Sequence, residues 1–364
     1  MDAVVLVGGG GTRLRPLTYA IPKPLIPVLN RPLISHLILN LHRGGVQNVV
    51  LAASASDRRI EEALGDGSDL GVHVTYCYER EPLGSGLAVK QAAAPVVGAF
   101  FVCNGDVLYD LDVGAMLACH QERAAVMSIF LAPVGDPSAY GIADVDATGR
   151  ITRFVEKPPP GQAPSNLANA GTWIFEQAVL ESIPDQKMDG SIERLVMPAL
   201  IAEGCLVLGY SSDAYWMDVG TPERYLQIHA DLLGGRIPAW LPESMRGGRP
   251  FLGADSEVWP DAVIESNVVL GSRCRVGGLV QIKGPSALGD GCAVREKAVI
   301  ERSVCWSDVR IGAAAVVRDS IIGRGCLIGD GAVVVDAVLA DGARVKRGAR
   351  LAPGVRLEPG EEAG

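Results

Sequence analysis

Hydrophobic and polar positions alternate in two different ways along this chain of 364 residues, and the change falls near residue 234. Before that point, short apolar runs predict strands and amphipathic segments predict helices. The predicted strands are Val4–Val7, Val49–Ala52, Val72–Cys77 and Phe100–Cys103, and the predicted helices are Pro32–Leu41 and Asp112–Gln121. Strands that alternate with helices are typical of an α/β domain with a mostly parallel sheet.

Beyond the change, aliphatic residues recur every six positions. The first run is Leu252, Val258, Ile264, Leu270, Val276, Ile282, Leu288, Val294 and Ile300. After a phase slip near Trp306, a second run is predicted at Ile321, Leu327, Val333, Leu339, Val345, Leu351 and Leu357. This period predicts a hexapeptide β-helix, in which stacked strands bury a continuous aliphatic column. The phase slip marks a place where neighbouring structure is expected to intrude.

Between these two parts, residues 234–248 are rich in glycine and proline, which indicates a linker. We therefore expect a catalytic domain at 1–233, a linker at 234–250 and a β-helix at 251–358.

The net charge of −9 argues against non-specific binding to nucleic acid, which needs a basic surface. The eight cysteines include no C-x-x-C pair, so neither a zinc site nor a disulfide framework is expected. The first residues lack the features of a signal peptide, and no apolar run is long enough to span a bilayer. A cytoplasmic protein without membrane association is the expectation.

The strongest chemical signal is the stretch VLVGGGGTRLRPLT at 5–18, followed by IPKPLIPV at 21–28. Glycines let backbone N–H groups approach a ligand, and Arg13, Arg15 and Lys23 add positive charge, so the stretch predicts a site for a phosphorylated ligand. A P-loop is excluded because no lysine follows the loop at the required spacing. The dinucleotide fingerprint fails because Arg13 occupies its third glycine position.

This signature resembles that of the sugar-1-phosphate nucleotidylyltransferases, and most strongly that of mannose-1-phosphate guanylyltransferases. The resemblance continues through PLGSGLAV at 82–89, NGD at 104–106, YG at 140–141, FVEKP at 154–158, NAG at 169–171 and WMDVGTPERY at 216–225. It implies a Rossmann-like nucleotidyltransferase domain followed by a left-handed parallel β-helix. The implied reaction is attack of a sugar 1-phosphate on the α-phosphorus of a nucleoside triphosphate, which releases pyrophosphate.

By this resemblance, the triphosphate is bound by the glycine-rich loop, with Arg13 at the β- and γ-phosphates and Lys23 at the α-phosphate. Base contacts come largely from backbone groups at Leu6, Gly8 and Gly84, although LGSGL stands here where relatives more often have LGTAG or LGTGG. The implied nucleotide-binding set is Leu6, Gly8, Gly9, Gly11, Thr12, Arg13, Lys23, Gly84, Asn104 and Gly105, and the implied catalytic set is Arg13, Lys23, Asp106 and Asp218.

The same resemblance assigns a metal and a sugar-phosphate site. Asp106 and Asp218 match the family's magnesium ligands, and Mg²⁺ is usually held by one or two carboxylates together with substrate phosphates. Glu156 is implied to accept hydrogen bonds from sugar hydroxyls and Lys157 to bind the sugar phosphate. Gly141 and Asn169 complete the implied sugar pocket.

Several alternatives stay open from the sequence. GTP is favoured by the resemblance, but uridylyl, thymidylyl or adenylyl transfer, and a cyclitol phosphate such as valienol 1-phosphate, are compatible with the motifs. A non-catalytic regulatory subunit is disfavoured because the implied cations and carboxylates are all present.

The histidines are His36, His42, His73, His120 and His229, all before the linker. The β-helix therefore lacks the histidine base of hexapeptide acyltransferases, and we expect it to pack against the catalytic domain or to mediate homo-oligomerisation.

Overall fold

The computed structural model describes residues 1–185, 192–241, 243, 245 and 249–364. Within them the chain forms two compact units. Unit 1 comprises Met1–Gly9 and Leu33–Asp218, and unit 2 comprises Gly10–Pro32 and Val219–Gly364. The expected boundaries of 1–233, 234–250 and 251–358 stay a prediction. The two compact units have different boundaries. The difference arises because the segment Gly10–Pro32 belongs to the same compact unit as Val219–Gly364. Part of the predicted linker, at 242, 244 and 246–248, lies outside the described residues.

Helices and strands appear where the hydrophobic pattern predicts them, within one or two residues at most ends. The helices are α1 (Leu33–Arg43), α2 (Arg59–Leu64), α3 (Ser85–Ala92), α4 (Val113–Glu122), α5 (Gln177–Glu181), α6 (Met197–Ala202) and α7 (Pro222–Leu233). The first strands are β1 (Asp2–Leu6), β2 (Pro27–Val28), β3 (Arg31–Pro32), β4 (Asn48–Ser54), β5 (His73–Glu79), β6 (Phe100–Asn104), β7 (Val107–Tyr109), β8 (Met127–Pro133), β9 (Gly141–Val145), β10 (Ile151–Glu156), β11 (Leu167–Phe175), β12 (Val207–Ser211) and β13 (Trp216–Asp218).

Unit 1 is built on one twisted sheet with the order β10-β9-β11-β6-β1-β4-β5, to which β8 and β12 add beside β11. The expected parallel strands β6, β1, β4 and β5 are neighbours along one side of this sheet, with β5 at its edge. Strand β11 runs antiparallel to β6 and joins this part to β8 and β9. The middle residues of β1, β4 and β6 are apolar and buried, as expected of parallel strands covered on both faces. Val4, Phe100, Val102 and Trp173 are fully buried in this sheet.

The C-terminal part of unit 2 is a β-helix of three parallel sheets, consistent with the left-handed form. Its strands are β14 (Phe251–Leu252), β15 (Glu257–Val258), β16 (Val263–Ile264), β17 (Val268–Leu270), β18 (Arg275–Val276), β19 (Gln281–Lys283), β20 (Ser286–Leu288), β21 (Ala293–Val294), β22 (Val299–Glu301), β23 (Val304–Cys305), β24 (Arg310–Ile311), β25 (Val316–Arg318), β26 (Ile321–Ile322), β27 (Leu327–Ile328), β28 (Val333–Val335), β29 (Val338–Leu339), β30 (Arg344–Val345), β31 (Arg356–Leu357) and β32 (Glu362–Ala363).

The first aliphatic run has the predicted register, since Leu270 pairs with Leu288 and Ile282 with Ile300. The second predicted run is displaced by one residue at its first three positions. Ile322, Ile328 and Val334 belong to the buried column, so Ile321, Leu327 and Val333 do not. Successive strand residues face opposite sides, so an error of one residue exchanges inside for outside. Ile321 is nevertheless buried, on the other side of its strand.

The register changes because three turns are one residue shorter than the hexapeptide rule expects. Leu288 pairs with Cys305, Cys305 with Ile322 and Ile322 with Leu339, which are steps of seventeen residues where Leu270 to Leu288 is eighteen. Serines close these turns. The amide of Ser303 donates to Ser286 Oγ at 3.2 Å, and that of Ser320 donates to Ser303 Oγ at 3.2 Å. The phase slip near Trp306 is thus caused by the first of three shortened turns.

All eight cysteines are described as free thiols. In the part of the chain that the structure describes, no helix is both long and apolar enough to cross a membrane.

The corrected register predicts different costs for two neighbouring truncations. Ile328→Ala should lower the free energy of unfolding of the β-helix by about 2–5 kcal/mol, because it leaves a cavity in the buried column. Leu327→Ala, the matched control on the outer side of the same strand, should cost less than half as much. Urea denaturation monitored by circular dichroism measures both, and equal costs would contradict the register.

Candidate active site

The carboxyl ends of two neighbouring parallel strands meet in unit 1. Leu6 at the end of β1 pairs with Asn104 at the end of β6. The amide of Gly105 donates to the carbonyl of Leu6 at 2.8 Å. A Cβ on Gly105 would lie 3.0 Å from that oxygen, so the two chain segments approach as closely as glycine allows. Ligands of open α/β sheets bind at such strand ends, and the exposed Gly8 and Gly9 follow directly after β1.

The two candidate metal ligands lie at one end of a short antiparallel ribbon. Strands β7 and β13 pair so that Asp218 is opposite Val107, and Asp106 immediately precedes Val107. Both aspartates are half-buried. The other end of the ribbon is anchored by the fully buried Tyr109. Residues more than a hundred positions apart in sequence are therefore brought together by backbone pairing.

The donor set at this ribbon end is suited to magnesium. Among the described residues, no group of three or more His, Cys, Asp or Glu side chains could enclose a metal. Two carboxylates fit an ion that takes its remaining ligands from phosphates and water, which is how Mg²⁺ is commonly bound. The arrangement does not resemble the closed sites of zinc or calcium.

Glu156 and Gly141 form a second candidate element on the hairpin of β9 and β10. They are register partners. A Cβ on Gly141 would lie 2.7 Å from Glu156 Oε2 and would also collide with the Phe154 ring, so only glycine leaves room for this carboxylate position. The next residue, Lys157, has a positive φ of 48°, and its amide donates to the carbonyl of Tyr140 at 2.9 Å.

The Lys157 side chain is exposed to 62 %, against 24 % for Glu156. Its Nζ lies 3.7 Å from Glu156 Oε1. Glu156 is thus a carboxylate fixed against the sheet, and Lys157 is a cation at the surface beside it. Such a pair can accept hydrogen bonds from hydroxyls and attract a phosphate at adjacent points.

The NAG motif on β11 joins the sugar-phosphate candidates to the NGD motif. The pairing of β11 with β8 shifts register between Asn169 and Trp173. Asn169 Oδ1 accepts from the amide of Gly171 at 3.0 Å. Gly171 has a φ of +76°, and its Cβ would lie 2.8 Å from Asn104 Nδ2. Asn104 therefore packs directly on the irregular part of β11 that carries Asn169.

Trp216 is a residue of this site to which the sequence analysis gave no role. Its indole Nε1 donates to the carbonyl of Ala170 at 2.8 Å. Its ring meets Tyr140 edge to face, with centroids 5.4 Å apart. It connects three motifs, because Tyr140 precedes Gly141, Ala170 follows Asn169, and Asp218 is two residues further on. The sequence could have indicated a role for Trp216, since Trp216 and Tyr140 lie in motifs that also contain candidate site residues.

Gly84 lies at the N-terminus of α3 with a φ of 83° and ψ of 157°. The preceding amide of Leu83 donates to Glu79 Oε2 at 3.1 Å. Burial raises the pKa of this Glu79 carboxyl above its ordinary value. The PLG turn is therefore fixed at the end of β5, and backbone groups of Gly84 are placed at a helix N-terminus.

The remaining candidates, Gly11, Thr12, Arg13 and Lys23, belong to unit 2. Gly11 has a φ of 53°, and its carbonyl accepts from Thr18 Oγ1 at 2.8 Å. A Cβ here would lie 3.0 Å from the Thr18 side chain and 3.3 Å from that of Lys23. The segment thus folds back so that Lys23 packs beside Gly11.

The two candidate cations of this segment differ in burial. Arg13 is exposed in a turn of 3₁₀ helix at Thr12–Leu14, whereas Lys23 is only 7 % exposed in the turn Lys23–Leu25. A lysine so far removed from water is uncommon, and buried lysines usually have a specific partner.

The sequence matches two family models. Residues 2–234 match the model described as nucleotidyl transferase, and residues 261–349 match that described as GlmU-like, C-terminal hexapeptide. The chain therefore belongs to the nucleotidyl transferase family. Its relatives place it among the sugar-1-phosphate nucleotidyltransferases of that family.

Two curated relatives and one solved structure illustrate this. The chain is 37 % identical over 306 residues to a mannose-1-phosphate guanylyltransferase of Mycobacterium tuberculosis, covering 83 % of each chain. It is 32 % identical over 344 residues to a UTP–glucose-1-phosphate uridylyltransferase of Synechocystis, covering 90 % of this chain and 88 % of the relative. The structure of HddC from Yersinia pseudotuberculosis complexed with GMP-PN is similar with a TM-score of 0.54 and 29 % identity, covering 62 % of this chain and 97 % of that one.

The close approach at Gly141 leads to a test of the hairpin. Gly141→Ala should lower kcat/KM for the sugar 1-phosphate by about tenfold or more, because the added methyl group displaces the Glu156 carboxylate. Gly135→Ala is the matched control, since no described atom lies within 4 Å of a Cβ there. Steady-state assays of pyrophosphate release measure both variants. A Gly141→Ala enzyme with unchanged kinetics would contradict a role for this carboxylate position.

Proposed function

We propose that this protein is a magnesium-dependent guanylyltransferase that transfers GMP from GTP to mannose 1-phosphate, giving GDP-mannose and pyrophosphate. The observation that carries nucleotidyl transfer is the pairing of Asp218 with Val107, which sets a second carboxylate at the ribbon end where Asp106 lies. Two carboxylates beside glycine-rich strand ends are what a phosphate-bound divalent ion needs.

The choice of GTP and mannose 1-phosphate is supported by the relatives. The relative from Mycobacterium tuberculosis is named a mannose-1-phosphate guanylyltransferase, and the similar structure from Yersinia holds GMP-PN. Base contacts in the proposed site come from backbone groups, which leave little trace in side-chain identity. The proposal for the base therefore depends on similarity along the whole chain.

In the proposed reaction, an oxygen of the sugar phosphate attacks the α-phosphorus of GTP. The bond from the α-phosphorus to the oxygen bridging the α- and β-phosphates breaks, and that oxygen leaves with pyrophosphate. Arg13 neutralises the departing β- and γ-phosphates, and Lys23 offsets the charge that develops on the α-phosphate. The buried state of Lys23 strengthens this effect, because a charge away from water is screened less.

The nucleotide backbone contacts are assigned to Leu6, Gly8, Gly9, Gly11, Thr12, Gly84, Asn104 and Gly105. Glu156 holds sugar hydroxyls and Lys157 the sugar phosphate, while Gly141 and Asn169 shape the pocket around them. Such positioning supplies most of the rate enhancement in phosphoryl-type transfer, where the protein does little covalent chemistry. Asp106 and Asp218 would hold the Mg²⁺ ion, which supplies charge neutralisation to the phosphates when bound.

Uridylyl transfer to glucose 1-phosphate is the second candidate, favoured by the similarity to the Synechocystis enzyme over 90 % of this chain. A matrix of GTP, UTP, dTTP and ATP against mannose, glucose and valienol 1-phosphates separates these functions by pyrophosphate release. We expect GTP with mannose 1-phosphate to give the highest kcat/KM. A higher value for another pair would replace the proposed substrates, and no turnover with any pair would favour a regulatory, non-catalytic protein.

Removing either ribbon carboxylate tests the metal assignment. Asp106→Asn and Asp218→Asn should each lower kcat by about a hundredfold or more, because charge stabilisation of the transferred group is lost. Asp110→Asn is the matched control, since Asp110 is exposed just beyond the other end of β7. The measurement is kcat as a function of Mg²⁺ concentration. Near-normal rates and an unchanged Mg²⁺ requirement in both site variants would show the assignment to be wrong.

A further inference from the structure

One segment carries the cations proposed to act on the triphosphate, and we name Gly10–Pro32 the cationic segment. It contains Arg13, Arg15 and Lys23, and it forms one compact unit with α7 and the β-helix. Its buried side chains include Leu14, Leu17, Ile26 and Val28. The segment is thus packed within the C-terminal unit, although the sequence signature to which it belongs begins in β1.

A buried hydroxyl links the cationic segment to the β-helix. Tyr225, on α7, is fully buried, and its hydroxyl donates to the carbonyl of Pro27 at the beginning of β2. The same oxygen accepts from Trp306 Nε1 at 2.9 Å. Trp306 follows β23 in the β-helix and is 4 % exposed. Burial raises the pKa of Tyr225, so its hydroxyl stays protonated and can serve as donor and acceptor at once.

The hairpin of β2 and β3 is fastened at two further points. Its turn residues Leu29 and Asn30 both have positive φ, 47° and 63°, as a tight two-residue hairpin requires. Asn30 Nδ2 donates to the carbonyl of Leu288 in β20 at 2.7 Å. The amide of Leu29 donates to His229 Nε2 at 3.3 Å, while His229 Nδ1 donates to the carbonyl of Tyr225 at 2.9 Å.

Both His229 contacts require a neutral ring, protonated at Nδ1 and accepting at Nε2. Burial lowers the pKa of His229 to about 4, which keeps the ring in this form at neutral pH. The group of Tyr225, His229, Asn30 and Trp306, which we name the hairpin anchor, therefore has consistent donors and acceptors.

The hairpin anchor is joined to Lys23 by the short buried stretch that precedes Pro27. Lys23, Pro24 and Leu25 form a 3₁₀ turn that leads through Ile26 directly into Pro27. The amide of Ile26 donates to the Lys23 carbonyl at 3.2 Å, which ties the backbone of Lys23 to the anchored strand. At the other end, Arg356 in β31 donates to the carbonyl of Arg15 at 3.2 Å.

We infer that the β-helix positions the cationic segment for catalysis, with Tyr225, His229, Asn30 and Trp306 as positioning residues for Lys23. This inference rests on the proposed function for the role of Lys23. It gives the hexapeptide domain a part in the transfer reaction without any catalytic residue of its own. A displacement of about 1 Å in a positioned group can lower a rate by two orders of magnitude.

The first test measures the burial of Lys23 without using activity. The full chain is acetylated with N-hydroxysuccinimide acetate, and the rate at Lys23 is followed by mass spectrometry relative to the exposed Lys297. Tyr225→Phe and Trp306→Phe should increase the relative rate at Lys23 about fivefold or more, because each leaves buried polar atoms unpaired and loosens the hairpin. Trp259→Phe is the matched control, since Trp259 is 64 % exposed in the same domain, and it should change nothing.

Asn30→Gly is the milder variant in case a core substitution fails to fold. It removes the donor to Leu288 without adding a charge, and glycine adopts the positive φ of this position without strain. It should raise the relative acetylation of Lys23 in the same direction by a smaller factor.

The second test compares kcat with KM. In folded variants we expect kcat to fall about tenfold or more while KM for the sugar 1-phosphate changes by less than about threefold, because Lys23 acts on the charge that develops at the α-phosphate. Protected Lys23 in the variants would overturn the inference, and so would exposed Lys23 with unchanged kcat. If the wild-type protein turned over no substrate pair, the proposed function would fail instead, and acetylation alone would then decide whether the hairpin anchor holds Lys23.

Discussion

The buried hydroxyl of Tyr225 ties the positively charged part of the nucleotide signature to the β-helix. It satisfies the carbonyl of Pro27 and the indole of Trp306 together, so its loss would leave two buried polar groups unpaired. Each unpaired group of this kind costs about 1–3 kcal/mol. Lys23, which is close to Pro27 in sequence, is also buried, and a desolvated cation is tolerated only in a fixed environment. Contacts within unit 2, to which the β-helix belongs, provide the partners of the Tyr225 hydroxyl.

In unit 1, close approaches of the backbone, rather than side-chain contacts, position the polar groups of the candidate site. Gly105, Gly141 and Gly171 each lie where a Cβ would meet a neighbouring strand or a site residue. The approaches at Gly105 and Gly171 bring the ends of β1 and β6 close to the irregular middle of β11, and the pairing of β7 with β13 adds the two aspartates. The result is a set of polar groups fixed by strand register. Fixed groups lose little freedom when charged substrates bind, which is the main way proteins accelerate transfers between phosphates.

Most of the unit 1 elements could be predicted because they depend on local pattern. The strand ends before Gly8 and before Asn104 followed from apolar runs that stop at glycine or asparagine. The register of the β-helix beyond Ile300 could not be predicted by period alone, because each turn shortened by one residue at Ser303 and Ser320 reverses the facing of the next strand. The serines are visible in the sequence, but their hydroxyl contacts to the next coil depend on the fold.

The candidate site was predicted unevenly for the same reason. Asp106 and Asp218 were assigned from motifs. Trp216 and Tyr225 lie in one of the same motifs but were given no role, and Trp306 was used only to mark the phase slip. His229 was cited only because it precedes the β-helix, and the structure places it in the hairpin anchor. Which part of the chain packs on Gly10–Pro32 depends on contacts across two hundred or more residues, such as Asn30 with Leu288, which no local pattern contains.

The proposed reaction depends on attack of a sugar-phosphate oxygen at the α-phosphorus of the triphosphate, so that the sugar phosphate stays intact. Mannose 1-phosphate labelled with ¹⁸O at its three non-bridging phosphate oxygens tests this, with mass spectrometry of both products. Attack at the α-phosphorus predicts that the nucleotide sugar retains all three labelled oxygens and that pyrophosphate contains none. Labelled oxygen in pyrophosphate would contradict the account, because it would require cleavage at the sugar phosphate instead of at the α-phosphorus.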